Sequence, residues 1–80
     1  MIVEVKLFAT LRKFLPADSD GTRTRFDVSA GVSVGDVLVR LGIPSKAAAI
    51  VLVDGRCPAD RRFPLGEGSV VSVFPALAGG

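Results

Sequence analysis

Residues 33–44 read SVGDVLVRLGIP and specify a helix more clearly than any other part of the chain. Ser33 is a residue type that caps helix N-termini, and Asp36 follows three positions later, as in a capping box. Gly42 and Pro44 end the pattern, because glycine commonly follows a helix and proline cannot continue one. Between these signals, apolar residues recur at the spacing of one helix face: Val34, Val37, Leu38 and Leu41. The sequence therefore predicts an amphipathic helix packed on a sheet.

Two strands are predicted before this helix. Residues 2–8, IVEVKLF, alternate so that one face carries Val3, Val5 and Leu7. Phe8 falls on the opposite, polar face, which is unusual for a bulky aromatic residue unless that face is covered. Residues 9–15 could form a turn or two of helix, and residues 18–22 are rich in turn formers. Residues 23–28, RTRFDV, alternate again and predict the hairpin partner of the first strand.

Two more strands are predicted after the helix. Residues 50–53, IVLV, are continuously apolar and predict a buried strand, closed by a tight turn at residues 54–55. Residues 56–63 are too polar and too interrupted by proline for more than a brief edge pairing. Residues 69–74, SVVSVF, are β-branched and aromatic, and Pro75 then ends the strand because it has no N–H to donate.

The predicted order is therefore strand, strand, helix, strand, short segment and final strand. A hairpin followed by a crossover helix predicts an α+β fold, a small mixed sheet of four to five strands with one main helix on one face. The other face is left to solvent or a partner. This is the β-grasp outline, and we expect a single domain over residues 1–80 with a flexible C-terminal tail at residues 76–80.

Composition narrows the function classes. The chain has no histidine and a single cysteine, Cys57, so it lacks the commonest general base and cannot form an internal disulfide. A net charge of +2, with no Trp or Tyr to stack on bases, gives little reason to expect nucleic-acid binding. No apolar run approaches the roughly 20 residues of a membrane helix, and Glu4 and Lys6 stand where a signal peptide would be apolar. We expect a cytoplasmic protein that binds neither metal, membrane nor nucleic acid.

The sequence ends in ALAGG, residues 76–80. Frayed chain ends are usual, and this is the plainest interpretation. About 0.5 per cent of chains would also end in Gly-Gly by chance, so the pair alone is a weak signal. The pair gains significance because the last predicted strand leads directly into it. The tail is therefore expected to project from a rigid element.

Five segments together resemble the ubiquitin-like sulfur carriers, the family of the molybdopterin synthase small subunit (MoaD) and the thiamine-pathway carrier (ThiS). These segments are VKLFATLR, SVGDVLVRLG, VDG, PLGEGSVVSVFP and ALAGG. The LFA-x-LR pattern and the aromatic-proline pair before the tail are closer to the molybdopterin branch. Two features depart from the pattern: Asp54 stands where asparagine is frequent, and residues 76–78 lie between the cues of both branches.

The resemblance implies a protein substrate or carrier subunit, not a catalyst on its own. An E1-like adenylating enzyme would use ATP to adenylate the carboxylate of Gly80, and sulfur from a persulfide donor would replace the adenylate to leave a thiocarboxylate. Gly79 and Gly80 would let the chain end enter a narrow active site, because glycine has no Cβ to clash there. The chain itself is expected to bind no cofactor.

The resemblance also implies a docking surface for the molybdopterin synthase large subunit. If the last strand lies beside the first, Phe74 shares the outer sheet face with Phe8. We assign the surface to these two rings and the tail: Phe8, Phe74, Pro75, Ala76, Leu77 and Ala78. Two alternatives stay open. The chain could be a ubiquitin-like protein modifier or a carrier for thiamine or tRNA thiolation, or it could be a β-grasp interaction module whose terminal glycines are inert.

Overall fold

The computed structural model describes residues 1–17 and 19–76. Four strands and one α-helix follow the predicted order: β1 (Ile2–Leu7), β2 (Arg23–Asp27), α1 (Val34–Leu41), β3 (Ile50–Val53) and β4 (Val70–Phe74). Two short 3₁₀ helices complete the structure, the first at Ala9–Phe14 and the second at Ser45–Ala47. The helical turn predicted after the first strand is thus confirmed in 3₁₀ form.

The strands form one mixed sheet in the order β2-β1-β4-β3. β1 is antiparallel to β2 and parallel to β4, and β3 is antiparallel to β4. The parallel central pair requires a crossover between its strands, and α1 lies within that crossover. Strand order and helix placement confirm the predicted β-grasp fold.

The core lies between α1 and one face of the sheet. Its fully buried side chains come from the two central strands, from the helix face predicted to be apolar and from the first 3₁₀ helix: Val3, Val5, Leu7, Val71, Val73, Val34, Val37 and Leu11. Burying each such side chain contributes about 1.5–3 kcal/mol relative to leaving it exposed. The alternation predicted for the first strand is confirmed.

The start and end of α1 also agree with the sequence. The N–H of Asp36 donates to Ser33 Oγ at 3.1 Å, and the N–H of Ser33 donates to Asp36 Oδ2 at 3.0 Å, completing the capping box. Gly42 follows the helix with φ +77°, in the left-handed region that glycine adopts without steric cost. Both ends of the helix are therefore set by local chemistry.

The prediction that residues 50–53 are buried was wrong for one face of β3. Val51 and Val53 face the core, but Leu52 is only half-buried and the side chain of Ile50 is 53% exposed. β3 is an edge strand, and α1 covers only the opposite face of the sheet. The predicted tight turn is confirmed, since Asp54 and Gly55 both have positive φ and the residues on either side, Val53 and Arg56, exchange two backbone hydrogen bonds.

Ala9 occupies the left-handed region, with φ +52°, where the chain leaves β1 for the first 3₁₀ helix. An L-residue in this conformation destabilises the folded state by roughly 1–2 kcal/mol. Glycine would remove that strain, but it would also raise the entropy of the unfolded chain and so offset part of the gain. Ala9→Gly is expected to raise the free energy of unfolding by about 0.5–1 kcal/mol, measured by urea denaturation. Ala30→Gly, at an exposed loop position outside the positive-φ residues, is the control and should give no gain. Equal effects of the two substitutions would contradict the strain at Ala9.

Candidate functional site

Phe8 and Phe74 lie together on the sheet face that α1 does not cover. Their ring centroids are 4.3 Å apart and the ring planes differ by 9°, so the two rings are stacked. The parallel register of β1 and β4 produces this contact, because Leu7 pairs with Val73 and the N–H of Phe8 donates to the Val73 carbonyl at 3.2 Å. The sequence placed both rings on this face, and the structure confirms that placement. Each ring is half-buried because it shields the other.

Ile50 extends the same surface onto β3. It pairs directly with Phe74 across the β3–β4 ladder, and directly opposed residues share one face of a sheet. Its large exposed fraction makes it the most accessible apolar side chain of the group. We call Phe8, Ile50 and Phe74 the outer apolar cluster. Sequence reasoning missed Ile50 because a continuous apolar run shows no alternation that would mark an outward-facing residue.

The tail leaves the sheet at this cluster. Pro75 and Ala76 follow Phe74 directly, and Pro75 is half-buried while Ala76 is exposed. Without an N–H, Pro75 cannot continue the ladder with a neighbouring strand. The remaining predicted tail residues, Leu77, Ala78, Gly79 and Gly80, lie outside the described residues. A partner that contacts the outer apolar cluster would therefore meet the first residues of the tail at the same place.

The described part of the chain offers little for catalysis or metal binding. Within residues 1–17 and 19–76, no three His, Cys, Asp or Glu side chains come close enough to hold a metal ion. Cys57 is exposed beside the turn that follows β3, at the end of that strand away from Ile50. In the same described part, no helix has both the length and the apolar character needed to cross a bilayer. What the described residues do present is an apolar surface beside an emerging chain end.

A model of the family described as Mut7-C ubiquitin matches residues 1–79. The HVO 2177 protein of Haloferax volcanii is 30% identical in sequence, with a TM-score of 0.78 over 100% of this chain and 87% of that one. SAMP1, a small archaeal modifier protein of the same organism, is 28% identical, with a TM-score of 0.75 over 100% of both chains.

A more distant structure is a putative molybdopterin converting factor, subunit 1, from Pyrococcus furiosus. It is 23% identical, with a TM-score of 0.69 over 95% of this chain and 98% of that one, so the likeness is one of fold. No curated protein sequence is significantly similar to this chain. The solved structures therefore agree on a ubiquitin-like β-grasp domain of this size.

Proposed function

Since the chain belongs to the Mut7-C ubiquitin family and has the ubiquitin-like fold of sulfur carriers and modifiers, we propose that it is a sulfur carrier activated at Gly80. The observation that carries the proposal is the outer apolar cluster at the base of the tail. The cluster spans the two central strands and β3, so it is held rigidly with respect to the point where the tail emerges. An enzyme that binds this surface lies beside the first residues of the tail.

The chemistry proposed for Gly80 follows from the reactivity of a carboxylate. A carboxylate is a poor electrophile, and attack of its oxygen on the α-phosphate of ATP releases pyrophosphate and leaves an acyl adenylate. A persulfide sulfur then attacks the carbonyl carbon and AMP leaves, giving an acyl disulfide. A second thiol of the donor cleaves the sulfur–sulfur bond, leaving a thiocarboxylate and a disulfide. ATP is bound by the activating enzyme in this scheme, and the carrier supplies only its end.

For the destination of the sulfur, we propose molybdopterin synthesis, with this chain as the small subunit of molybdopterin synthase. The LFA-x-LR pattern, residues 7–12, and the Phe74-Pro75 pair support this branch. The outer apolar cluster supports it as well, because a large subunit could dock there and take the tail into its active site. In that complex the large subunit provides the catalytic groups.

A ubiquitin-like modifier is the second candidate, and the full-length similarity to SAMP1 favours it equally. In this case the activated carboxylate of Gly80 would be transferred to lysine amines of other proteins. A ladder of lysine-linked adducts in cells would support the modifier, whereas copurification with a large synthase subunit would support the molybdopterin role. Both candidates share the activation step at Gly80.

Activation is tested by intact-mass measurement of the full chain. The protein is purified from its native cells, and a second sample is incubated with ATP, the E1-like enzyme and a persulfide donor. We expect the mass of the chain to rise by the difference between a sulfur and an oxygen atom. Fragmentation should locate this change at Gly80. A known sulfur carrier treated in parallel is the positive control. If that control is converted and this chain is not, the sulfur-carrier proposal is wrong.

A further inference from the structure

Four cationic residues belong to elements that meet the end of the sheet where the tail leaves it, although they come from distant parts of the sequence. Lys6 lies on the outer face, paired in register with Ser72 of β4. Arg12 and Lys13 are in the last turn of the first 3₁₀ helix, which begins directly after Phe8. Lys46 is in the second 3₁₀ helix, four residues before Ile50 and so within about 14 Å of chain. We call these four residues the basic patch.

The acidic residues of the described chain are engaged elsewhere. Three form ion pairs with arginine: Glu4 with Arg25, Asp20 with Arg23 and Asp60 with Arg62. The other four bind amide or ammonium groups: Asp27 accepts from the Met1 ammonium, Asp36 from Ser33, Asp54 from Val70 and Glu67 from Ile2. Each of these carboxylates therefore has an ion-pair or hydrogen-bond partner within the chain. The cations of the basic patch take part in none of these contacts.

The basic patch lies at the end of the sheet opposite to three of these carboxylates. Asp27, Asp54 and Glu67 lie at the end where β1 and β4 begin, and the basic patch lies at the end where both strands finish. At the first end, the hydrogen bond from the Met1 ammonium lowers the pKa of the Asp27 carboxyl, which stays ionised at neutral pH. Arg12, Lys13 and Lys46, which are all exposed, therefore lie at the end of the sheet from which the tail leaves.

We propose that the basic patch docks on an acidic rim around the cleft of the enzyme that activates the tail. This inference rests on the proposed activation of Gly80 and adds the kind of partner surface that recognises the domain. The outer apolar cluster is small and two of its three side chains shield each other, so it offers a partner little exposed apolar area. Complementary charges around it would steer the encounter and set the register, accelerating association about tenfold or more at low salt.

A protein partner fits this surface better than a nucleic acid does. Three of the four cations are exposed and Lys6 is half-buried, and they come from three separate elements beside the apolar cluster. Phe8 and Phe74 are stacked on each other, which leaves neither ring free on both sides for a base. An apolar centre with a charged rim is the usual anatomy of a protein–protein interface.

The test compares charge reversal with charge retention at the two most accessible lysines. In Lys13→Glu/Lys46→Glu the basic patch loses two cations, whereas Lys13→Arg/Lys46→Arg keeps the charge and removes only the amines. Arg56→Glu reverses a single charge away from the basic patch, because Arg56 is exposed in the turn at the opposite end of β3. For each full-length variant, kcat/KM of adenylation and the Kd for the E1-like enzyme without ATP are measured from about 0.05 to about 0.5 M NaCl.

We expect the glutamate pair to lower kcat/KM and weaken binding about tenfold at low salt and to flatten the salt dependence, with kcat nearly unchanged. The arginine pair and Arg56→Glu should stay within about twofold of the wild type. If the wild type is adenylated and all three variants change kcat/KM and Kd equally, the basic patch is not the docking surface. The proposed function would then be unaffected. If the wild type is not adenylated at any salt concentration but its binding still depends on Lys13 and Lys46, the proposed function is wrong and the basic patch stands as a docking surface. Loss of binding to a short single-stranded RNA in the glutamate pair, with enzyme binding unaffected, would also overturn the inference.

Discussion

Deleting Gly79 and Gly80 is expected to abolish sulfur acquisition while leaving the stability of the domain unchanged. The shortened chain would end at Ala78, and its carboxylate would lie up to about 7 Å closer to β4. A carboxylate held that far from the α-phosphate of ATP cannot form the acyl adenylate. The measurement is intact mass after incubation with ATP, the E1-like enzyme and the persulfide donor. Urea denaturation of the same sample checks the fold, whose buried core ends at Val73 and whose last strand ends at Phe74.

Gly80→Ala tests whether the last residue must lack a side chain, apart from the length of the tail. This variant keeps the full length but places a Cβ beside the reacting carboxylate, and we expect kcat/KM of adenylation to fall by about 100-fold, since small misplacements at a reacting centre have effects of that size. Ala30→Gly is the control, because it exchanges the same two residue types at an exposed loop position outside the tail and the assigned docking surface. Wild-type conversion of the deletion variant would show that Gly80 is not the reacting end.

The fold was largely predictable because its elements are specified by local signals. Ser33, Asp36 and Gly42 mark the ends of α1 through hydrogen bonds and backbone geometry that involve near neighbours only. The alternation around Val3 and Val5 assigns the buried face of β1 for the same reason. Such signals are local in the chain and do not depend on which strand lies beside which.

The accessible part of the site was harder to predict because it depends on strand order. Whether Ile50 is covered depends on β3 being an edge strand with one open face, and the apolar run of residues 50–53 is equally consistent with a central strand. The basic patch was missed for a related reason. Lys6, Lys13 and Lys46 form no charge run in the sequence and lie at one end of the sheet only because β1, β3 and β4 are paired.

Ile50→Glu is expected to weaken binding of the activating enzyme or of the large synthase subunit by at least about 30-fold, the loss of one hot-spot contact. The substitution would place a charge beside the stacked rings, on a surface that must lose its water on binding. Ile50 is a better probe than Phe8 or Phe74, because replacing either ring would also remove their mutual contact and lower stability. The Kd is measured by titration with each partner in turn.

Val39→Glu supplies the matched control for this experiment. Val39 is 78% exposed on the outer side of α1, so it undergoes the same change of apolar residue to carboxylate on the far layer of the molecule. Both variants should unfold at nearly the wild-type urea concentration, and only Ile50→Glu should lose affinity. Comparable losses in both variants would point to net charge as the cause, and unchanged affinity in both would remove the outer apolar cluster from the interface. Loss confined to Ile50→Glu would place the partner over β3 and β4, where the emerging tail is within its reach.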